Sequence, residues 1–539
     1  MAISQEQLKK LQNIKTGLEA KRQSEKGKTW LNVAKFVLPE LQDPSERKDP
    51  DSHAAQEYTS LATNALQGWA YGRSIAWMHI TREDEKVKGR NDSQKVKEWF
   101  QDVEKLMMDD LSRSGFYDEA QALTKIVLNL STGIMLMDWD QGQEKFIVEN
   151  LNPRRCCIAQ NRNHEVDVLF HEFEMDKDQA EEEFGDKCPD RIRKEKDYTR
   201  SFTFVKAIFS SRRYDMDIDG DGEWCEVIWS KDEPKVACSE RRMAWKPFLC
   251  WRFERSLTGS PWGVNSPGER CIGTIIKLNV LEKARLKGIQ LREQPMIKAT
   301  EGLEVNIMPF GLNPLKSNED FSFAPIPGNG SDVAVDMQRN EAVLKEAYYV
   351  DFFLVLQQTM EQQKTATEAA LLSDEKSQIM SSFTSRLNNE FLEVMLETLY
   401  EMELANQRLP EPPEDIAGTD IKIDFISPLT IAQRKAQTYA PARQFLAETV
   451  AFAEVDPSVK YIFDITKYAH NMSKDLMIDQ EFIRSEQEVN EMVERDRQMA
   501  AQQMQMENAQ RGAQTIAALG KAPEEGSMAQ QMIGGGRNG

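Results

Sequence analysis

Histidine is scarce in this 539-residue chain, and the five present share no spacing that metal or acid–base chemistry would need. His53, His79, His164, His171 and His470 form no H-E-x-x-H pair, and a lone histidine is more often a structural polar residue. No G-x-S-x-G appears, and none of the seven cysteines sits in a nucleophile signature. The odd cysteine number, irregular spacing and missing C-x-x-C exclude a disulfide framework and point to folding in a reducing compartment. Long apolar runs are missing too. The best, IVLNLSTGIMLM at 126–137, falls short of the ~18 residues of a membrane span and contains polar positions. The opening MAISQEQLKKLQNIKTGLEAKRQ lacks the apolar core of a secretory signal. The expectation is a soluble protein made inside the cell, with nothing that looks catalytic.

Positive charge is also in deficit. The net charge of −20 excludes a generally basic, DNA-coating surface. It does not exclude DNA passing through, because a channel that lets DNA slide should not grip its phosphates. GKT at 27–29 matches the end of a P-loop, but Arg22 stands where the first glycine belongs and the surrounding pattern is helical. Nucleotide binding is rejected there.

What is present is mostly helix, with one change of period. Helical patterning runs over 5–40 to Pro39, over AAQEYTSLATNALQGWAYG, over 93–114 and over 116–130. Between 133 and 256 the chain switches to short β-branched and aromatic runs such as IMLMDWD, KFIVENL and CEVIWS. Helix returns at Ser266-Pro267-Gly268-Glu269, a capping box with proline at N1, and continues to Gln294, where Pro295 ends it. A loop-rich or small β insertion follows over 295–335, then helix over 337–358. A second capping box, Thr365 to Glu368, opens a long helix to Arg408, stopped by Pro410, Pro412 and Pro413. DIKIDFISPL is one more strand, and 430–500 is helical. The fold class is therefore α+β, predominantly helical.

One stretch carries a metal-binding pattern. DMDIDGDGEWCE, 215–226, places six carboxylates in twelve residues and fits D-x-[DN]-x-[DN]-G-x5-E at every fixed position. An EF-hand needs a helix on each side, and both flanks read as strands; position eight is Gly222 rather than a branched apolar residue. Two readings remain open. The loop holds structural calcium through Asp215, Asp217 and Asp219, resembling the loops of integrin-type propellers with Glu223 in place of Glu226, or it is an acidic hairpin tip. Neither makes calcium the function.

The helix at 266–294 carries Arg270, Lys277, Lys283, Arg285, Lys287 and Arg292 against Glu269, Glu282 and Glu293. That is either a solvated face with ordinary i,i+4 pairs or a basic stripe facing DNA phosphates or an acidic neighbour.

Several short stretches, in order, carry a family resemblance. They are SLATNALQGWAYG, STGIMLMDWD, ENLNPRRC, SPWGVNSPGERCIGTIIKLNVL, EAYYVDFFLVL, TATEAALLSDEK and DFISPLTIAQR. From about Trp30 to Gln433 the chain resembles the head-to-tail connecting, or portal, proteins of short-tailed, T7-like bacteriophages. The acidic loop is no part of that pattern.

The resemblance implies a portal fold assembling into a ring, a homo-oligomer of twelve copies at one capsid vertex. It implies a wing over 1–265, helical over 1–130 and mostly β over 131–260. A first stem helix would span 266–294, a clip 295–335, a second stem helix 336–358 and a tunnel loop 359–371. A long wing helix and closing strand would fill 372–429, a crown 430–500, and a polar, partly disordered tail 501–539. The implied partners are capsid and scaffolding proteins, the terminase motor, tail adaptors, internal core proteins and double-stranded DNA, with no membrane. No cofactor is required, and structural calcium stays open. Assembly in the host cytoplasm and residence in the virion follow. Lys277, Lys283, Lys287 and Lys364 are the residues expected to meet DNA. The rivals are a calcium-stabilised β-domain binding protein and a nucleic-acid-processing enzyme.

Overall fold

The switch of period near residue 131 is a switch of architecture. The computed structural model describes residues 3–299 apart from 43, 46, 74–76, 83–93, 215 and 217. Beyond these it describes 321–323, 331–351 without 352 and 353, 354, 383–414, 416, 421–425, 440–453 and scattered helical residues between 465 and 508.

Helix α1 (Gln5–Arg22) opens on a complete capping box between Ser4 and Gln7. The chain runs on through a π-turn, Gln23–Gly27, into α2 (Lys28–Phe36). The helix expected to Pro39 therefore carries a bulge and ends slightly early. Helices α3 (Ala54–Ala70), α4 (Gln94–Arg113) and α5 (Phe116–Leu130) follow, with strand β1 (Met78–Arg82) between the first two. Gly115 (φ +77°) and Ser131 (φ +60°) turn the chain in and out of α5.

The β region holds two sheets. Strands β2 (Thr132–Asp140) and β3 (Lys145–Leu151) form a hairpin; β4 (Cys156–Gln160) and β5 (Val166–Met175) begin a second sheet. After the short helices α6 (Lys177–Phe184) and α7 (Asp190–Arg193) come β6 (Phe202–Ser210), β7 (Trp224–Ser230), β8 (Ala237–Met243) and β9 (Phe248–Arg252). The first sheet has order β3-β2-β9, and the second is an antiparallel meander, β4-β5-β6-β7-β8. Strand alternation sorts the meander's two faces. Val205, Ala207 and Phe209 look toward Leu8 and Leu11 of α1, while Phe202, Phe204 and Ile228 pack on Ala180 and Phe184 of α6.

Helix resumes with α8 (Pro267–Arg270) and α9 (Ile272–Glu293), separated by a turn at Cys271. Strands β10 (Ile297–Ala299) and β11 (Phe321–Phe323) pair antiparallel, so the insertion is β-bearing as expected. Helix α10 (Ser331–Ala347) starts within that insertion and breaks at Tyr349, which takes φ +56°; Val350, Asp351 and Leu354 are helical again, and the rest of the expected stretch to 358 lies outside the described residues. Helical residues 383–405 comprise a π-turn, Leu387–Leu392, and α11 (Glu393–Ala405). The cap expected at Thr365 lies outside the described residues. Strand β12 (Ile421–Phe425) pairs antiparallel with β1, more than 300 residues away in sequence.

One large core joins α2 to α5, the β3-β2-β9 sheet, the buried ends of α9 and α10, and the 383–402 helix. All of this belongs to one unit, Met1–Thr438. A second unit, Tyr439–Gly539, includes α12 (Ala440–Ala453).

Candidate functional site

The stretch SPWGVNSPGER is the root of the longest described helix, and each residue type in it has a mechanical reason. Trp262 is buried edge-on against Trp30, ring centroids 5.0 Å apart. At Gly263 a Cβ would stand 2.0 Å from the Ser131 carbonyl oxygen, and at Gly268 one would stand 2.6 Å from Asn129 Oδ1. Only glycine lets these backbones approach so closely. Ser266 is the N-cap, its Oγ accepting from the Glu269 N–H, and Ser131 Oγ donates to it at 2.8 Å.

The expected capping box is only half formed. Glu269 does not reach back to the Ser266 N–H. Its carboxylate instead accepts from Lys26 Nζ, 2.9 Å to each oxygen, and from Trp30 Nε1 at 2.9 Å. Both side chains of that ion pair are nearly excluded from solvent. About three turns further on, buried Asn279 accepts from the Asp51 and Ser52 N–H groups and donates to the Ile275 carbonyl. The base of α9 is thus fastened to α2 and to the 51–52 loop by polar contacts that local sequence cannot reveal.

Beyond Asn279 the helix leaves the body. Ile275 and Leu278 are buried, but Val280 is 61 % exposed, and Leu286, Ile289 and Leu291 are also open to solvent. Helix α10 packs against α9 through Leu344, yet leaves Val335 (63 %) and Val343 (45 %) exposed. At 100° per residue, Val280, Ala284 and Leu291 share the face opposite the buried stripe. The pair of helices therefore presents apolar side chains on faces left open among the described residues.

The basic residues assigned to DNA divide. Lys283 forms an ion pair with Asp51 at 3.0 Å, and Arg285 with Glu282 at 2.6 Å. Those two charges are neutralised within the chain. Lys277 and Lys287 are exposed and make no ion pair among the described residues; they flank the outward apolar face. Lys364 lies outside the described residues.

The acidic loop sits at the β6–β7 turn, between strands as expected, so it is no EF-hand. Asp215 and Asp217 lie outside the described residues, and Asp219 is exposed. Met216 and Ile218 are buried against the α1 face of the meander, which accounts for the alternating D-x-D-x-D pattern. Gly222 takes φ +140°, and a Cβ there would meet the Met243 carbonyl oxygen at 2.2 Å. Glu226, the bidentate ligand of the calcium pattern, is buried and held by Arg241 Nε at 2.8 Å and Lys206 Nζ at 3.6 Å. Glu223 pairs with Arg212 at 2.8 Å. Among the described residues no cluster of three His, Cys, Asp or Glu side chains is placed to hold a metal. None of the described helices is long and apolar enough to cross a membrane.

Comparison with known proteins agrees with this geometry. The family model described as "Bacteriophage head to tail connecting protein" matches residues 8–483, more than the stretch from Trp30 to Gln433 that carries the resemblance. The chain is 26 % identical over 531 residues to a "Probable portal protein" of Bordetella phage BPP-1, covering 91 % of each chain. It is 22 % identical over 570 residues to the "Portal protein" of Salmonella phage epsilon15, covering 95 % of this chain and 94 % of that one.

Proposed function

This chain belongs to the bacteriophage head to tail connecting protein family, and from that premise we propose that its copies close into a ring around a DNA channel at one capsid vertex. The role is that of a portal protein, a virion component through which DNA is packaged and released. The observation that carries the ring is the apolar surface of the α9/α10 pair, where Val280, Leu291, Val335 and Val343 stay exposed among the described residues. Identical neighbours placed around an axis would cover them.

In this reading α9 and α10 are the stem and the β10–β11 insertion the clip. The helical and β elements before residue 266 are the wing, and the helices after residue 439 belong to the crown. The number of copies is twelve. Lys277 and Lys287 face DNA phosphates or an adjacent acidic subunit, and Lys364 projects from the tunnel loop. A few basic positions in an acidic channel keep DNA centred without gripping it, since few counterions are released at any point. Capsid and scaffolding proteins, the terminase motor, tail adaptors and internal core proteins are the expected partners. The role is structural rather than enzymatic, with any calcium confined to the 215–226 loop. A calcium-dependent binding module has no support, since Glu226 is engaged and the meander shares its unit with the helical core.

Native mass by mass photometry tests the ring, on wild type and on a Val280→Glu/Leu291→Glu variant, each with and without scaffolding protein. Particles of about twelve copies are expected for wild type, and single, folded chains for the variant. A wild-type chain that stays single with scaffold present, or a variant that assembles normally, would overturn the reading.

A further inference from the structure

A cleft of about 880 Å³ opens on the wing side, away from α9, and nothing above uses it. Its walls are the 161–165 loop, the facing ends of β6 and β7, strand β9 and the π-turn Leu387–Leu392. The lining carries six cations against four carboxylates, a local excess of two positive charges on a chain of net −20.

Most of these charges are already matched. Glu390 accepts from Arg252 Nη2 at 2.7 Å, from the Arg252 backbone N–H at 2.9 Å and from Arg255 Nε at 3.1 Å. Arg213 pairs with Asp167, and Arg212 with Glu223. Lys246, Arg162 and Glu165 are left over, the last accepting from Asn161 Nδ2 at 2.9 Å. Lys246 stands with its ammonium over the rings of Trp224 (5.5 Å) and Phe248 (5.1 Å), and no carboxylate lies within ion-pair distance among the described residues. Arg162 is exposed at the rim and makes no ion pair there either. The nearest carboxylates to this half-buried ammonium, Glu165 and Asp167, stand beyond ion-pair distance, so its charge faces the open cleft only partly offset.

We propose that this cleft receives an acidic segment of a second copy of the chain, its carboxylates lying between Lys246 and Arg162. The inference rests on the ring reading and adds a lateral contact to it. Charge favours this occupant, since every copy carries excess carboxylate outside the cleft and the cleft is locally positive. Size favours it as well, because the volume exceeds what a single phosphate needs and suits several side chains. Burial pulls the Lys246 pKa down, which leaves the amine more nucleophilic near neutral pH and useful as a chemical probe.

The experiment mixes isotopically light and heavy full-length chains at assembly concentration and treats them with a zero-length carbodiimide, which joins an amine to a carboxylate it touches. A cross-linked peptide of mixed isotope containing Lys246 is the expected result. Mixed-isotope peptides that never include Lys246 would overturn this contact and leave the ring intact. Mixed-isotope peptides of no kind would sink both. Arg162→Glu, at an exposed position that does not bear on folding, should raise the concentration needed for assembly about tenfold, the scale of one rim charge pair. Unchanged assembly of that variant would also refute the contact. Protection of Lys246 from acetylation by duplex DNA, but not by a second copy, would assign the cleft to nucleic acid and overturn the proposal.

Discussion

Replacing Glu269 with alanine should loosen the root of α9 by leaving the Lys26 ammonium buried without a counter-charge. Both partners are almost wholly enclosed, and the carboxylate takes its close contacts from Lys26 of the π-turn and Trp30 of α2. Removing one member of such a pair costs about 3–5 kcal/mol, whereas replacing both by apolar groups of similar volume is often near neutral. Trp30 Nε1 keeps its second acceptor, the Leu130 carbonyl at 3.1 Å, so the indole contributes little to the loss. Glu269→Ala and Lys26→Met should therefore each be strongly destabilising, while Lys26→Met/Glu269→Met together should cost far less than their sum. The assay is urea unfolding followed by tryptophan fluorescence, since Trp30 and Trp262 meet at this spot. With an m-value of about 2–3 kcal/mol/M, each single change should lower the midpoint by about 1–2 M. Additive single and double effects would refute the claim that a buried ion pair fastens this helix.

Glu403 is fully buried beside Asp110, both facing Arg408; burial first and the neighbouring Asp110 second push its pKa up to about 8. The folded state then holds a proton that the unfolded chain has released above its ordinary carboxylate range, so stability falls as pH rises toward 8. Glu403→Gln should remove that slope, and a variant whose midpoint tracks wild type from pH 5 to pH 8 would refute it. Neutralising Lys277 and Lys287 should flatten the salt dependence of DNA binding by the ring; an unchanged slope would place both lysines away from phosphates. Chelation should leave the unfolding midpoint where it is, because Glu226 is committed to Arg241 and Lys206. A clear rise on adding calcium would show that the loop builds a site from its remaining acids.

The helices, the change of period at 131 and the N-cap at Ser266 were legible because each depends on neighbours within a few residues. The pairing of β1 with β12 was not, since its partners are separated by most of the chain. Glu269 reads as half of a capping box on spacing alone; Ser266 does cap its N–H, but its carboxylate goes to Lys26 and Trp30 instead. What spacing could not carry was Lys26, brought alongside by the π-turn Gln23–Gly27 from 243 residues away. The acidic loop stayed open between two readings for a related reason. Its aspartates fit a metal pattern while the intervening Met216 and Ile218 fit a strand-like alternation, and only packing shows that the alternation is what the fold uses. The two π-turns left no mark that periodicity could register, though one of them delivers Glu390 to Arg252 and Arg255.

The exposed side chains of α9 and α10 also set how far apolar contact can go in holding copies of the chain together. Full burial of a large aliphatic side chain is worth about 1.5–3 kcal/mol, and these residues already have roughly half of their surface covered. Six of them, Val280, Leu286, Ile289, Leu291, Val335 and Val343, would then supply about 5–9 kcal/mol per contact. Association itself costs about 4–15 kcal/mol in lost freedom before side-chain ordering is counted. In the ring reading the α9/α10 face is therefore sufficient to choose a neighbour and insufficient to hold it firmly, and polar contacts elsewhere on the chain would have to contribute. The two terms respond oppositely to salt: apolar contacts persist or strengthen, while exposed charge pairs are screened within about 8 Å at physiological ionic strength. Assembly measured from 50 mM to 1 M sodium chloride separates them. Rings that dissociate on raising salt place the decisive contact in the charged cleft; rings that tighten place it on Val280 and its neighbours and leave Lys246 without an essential part.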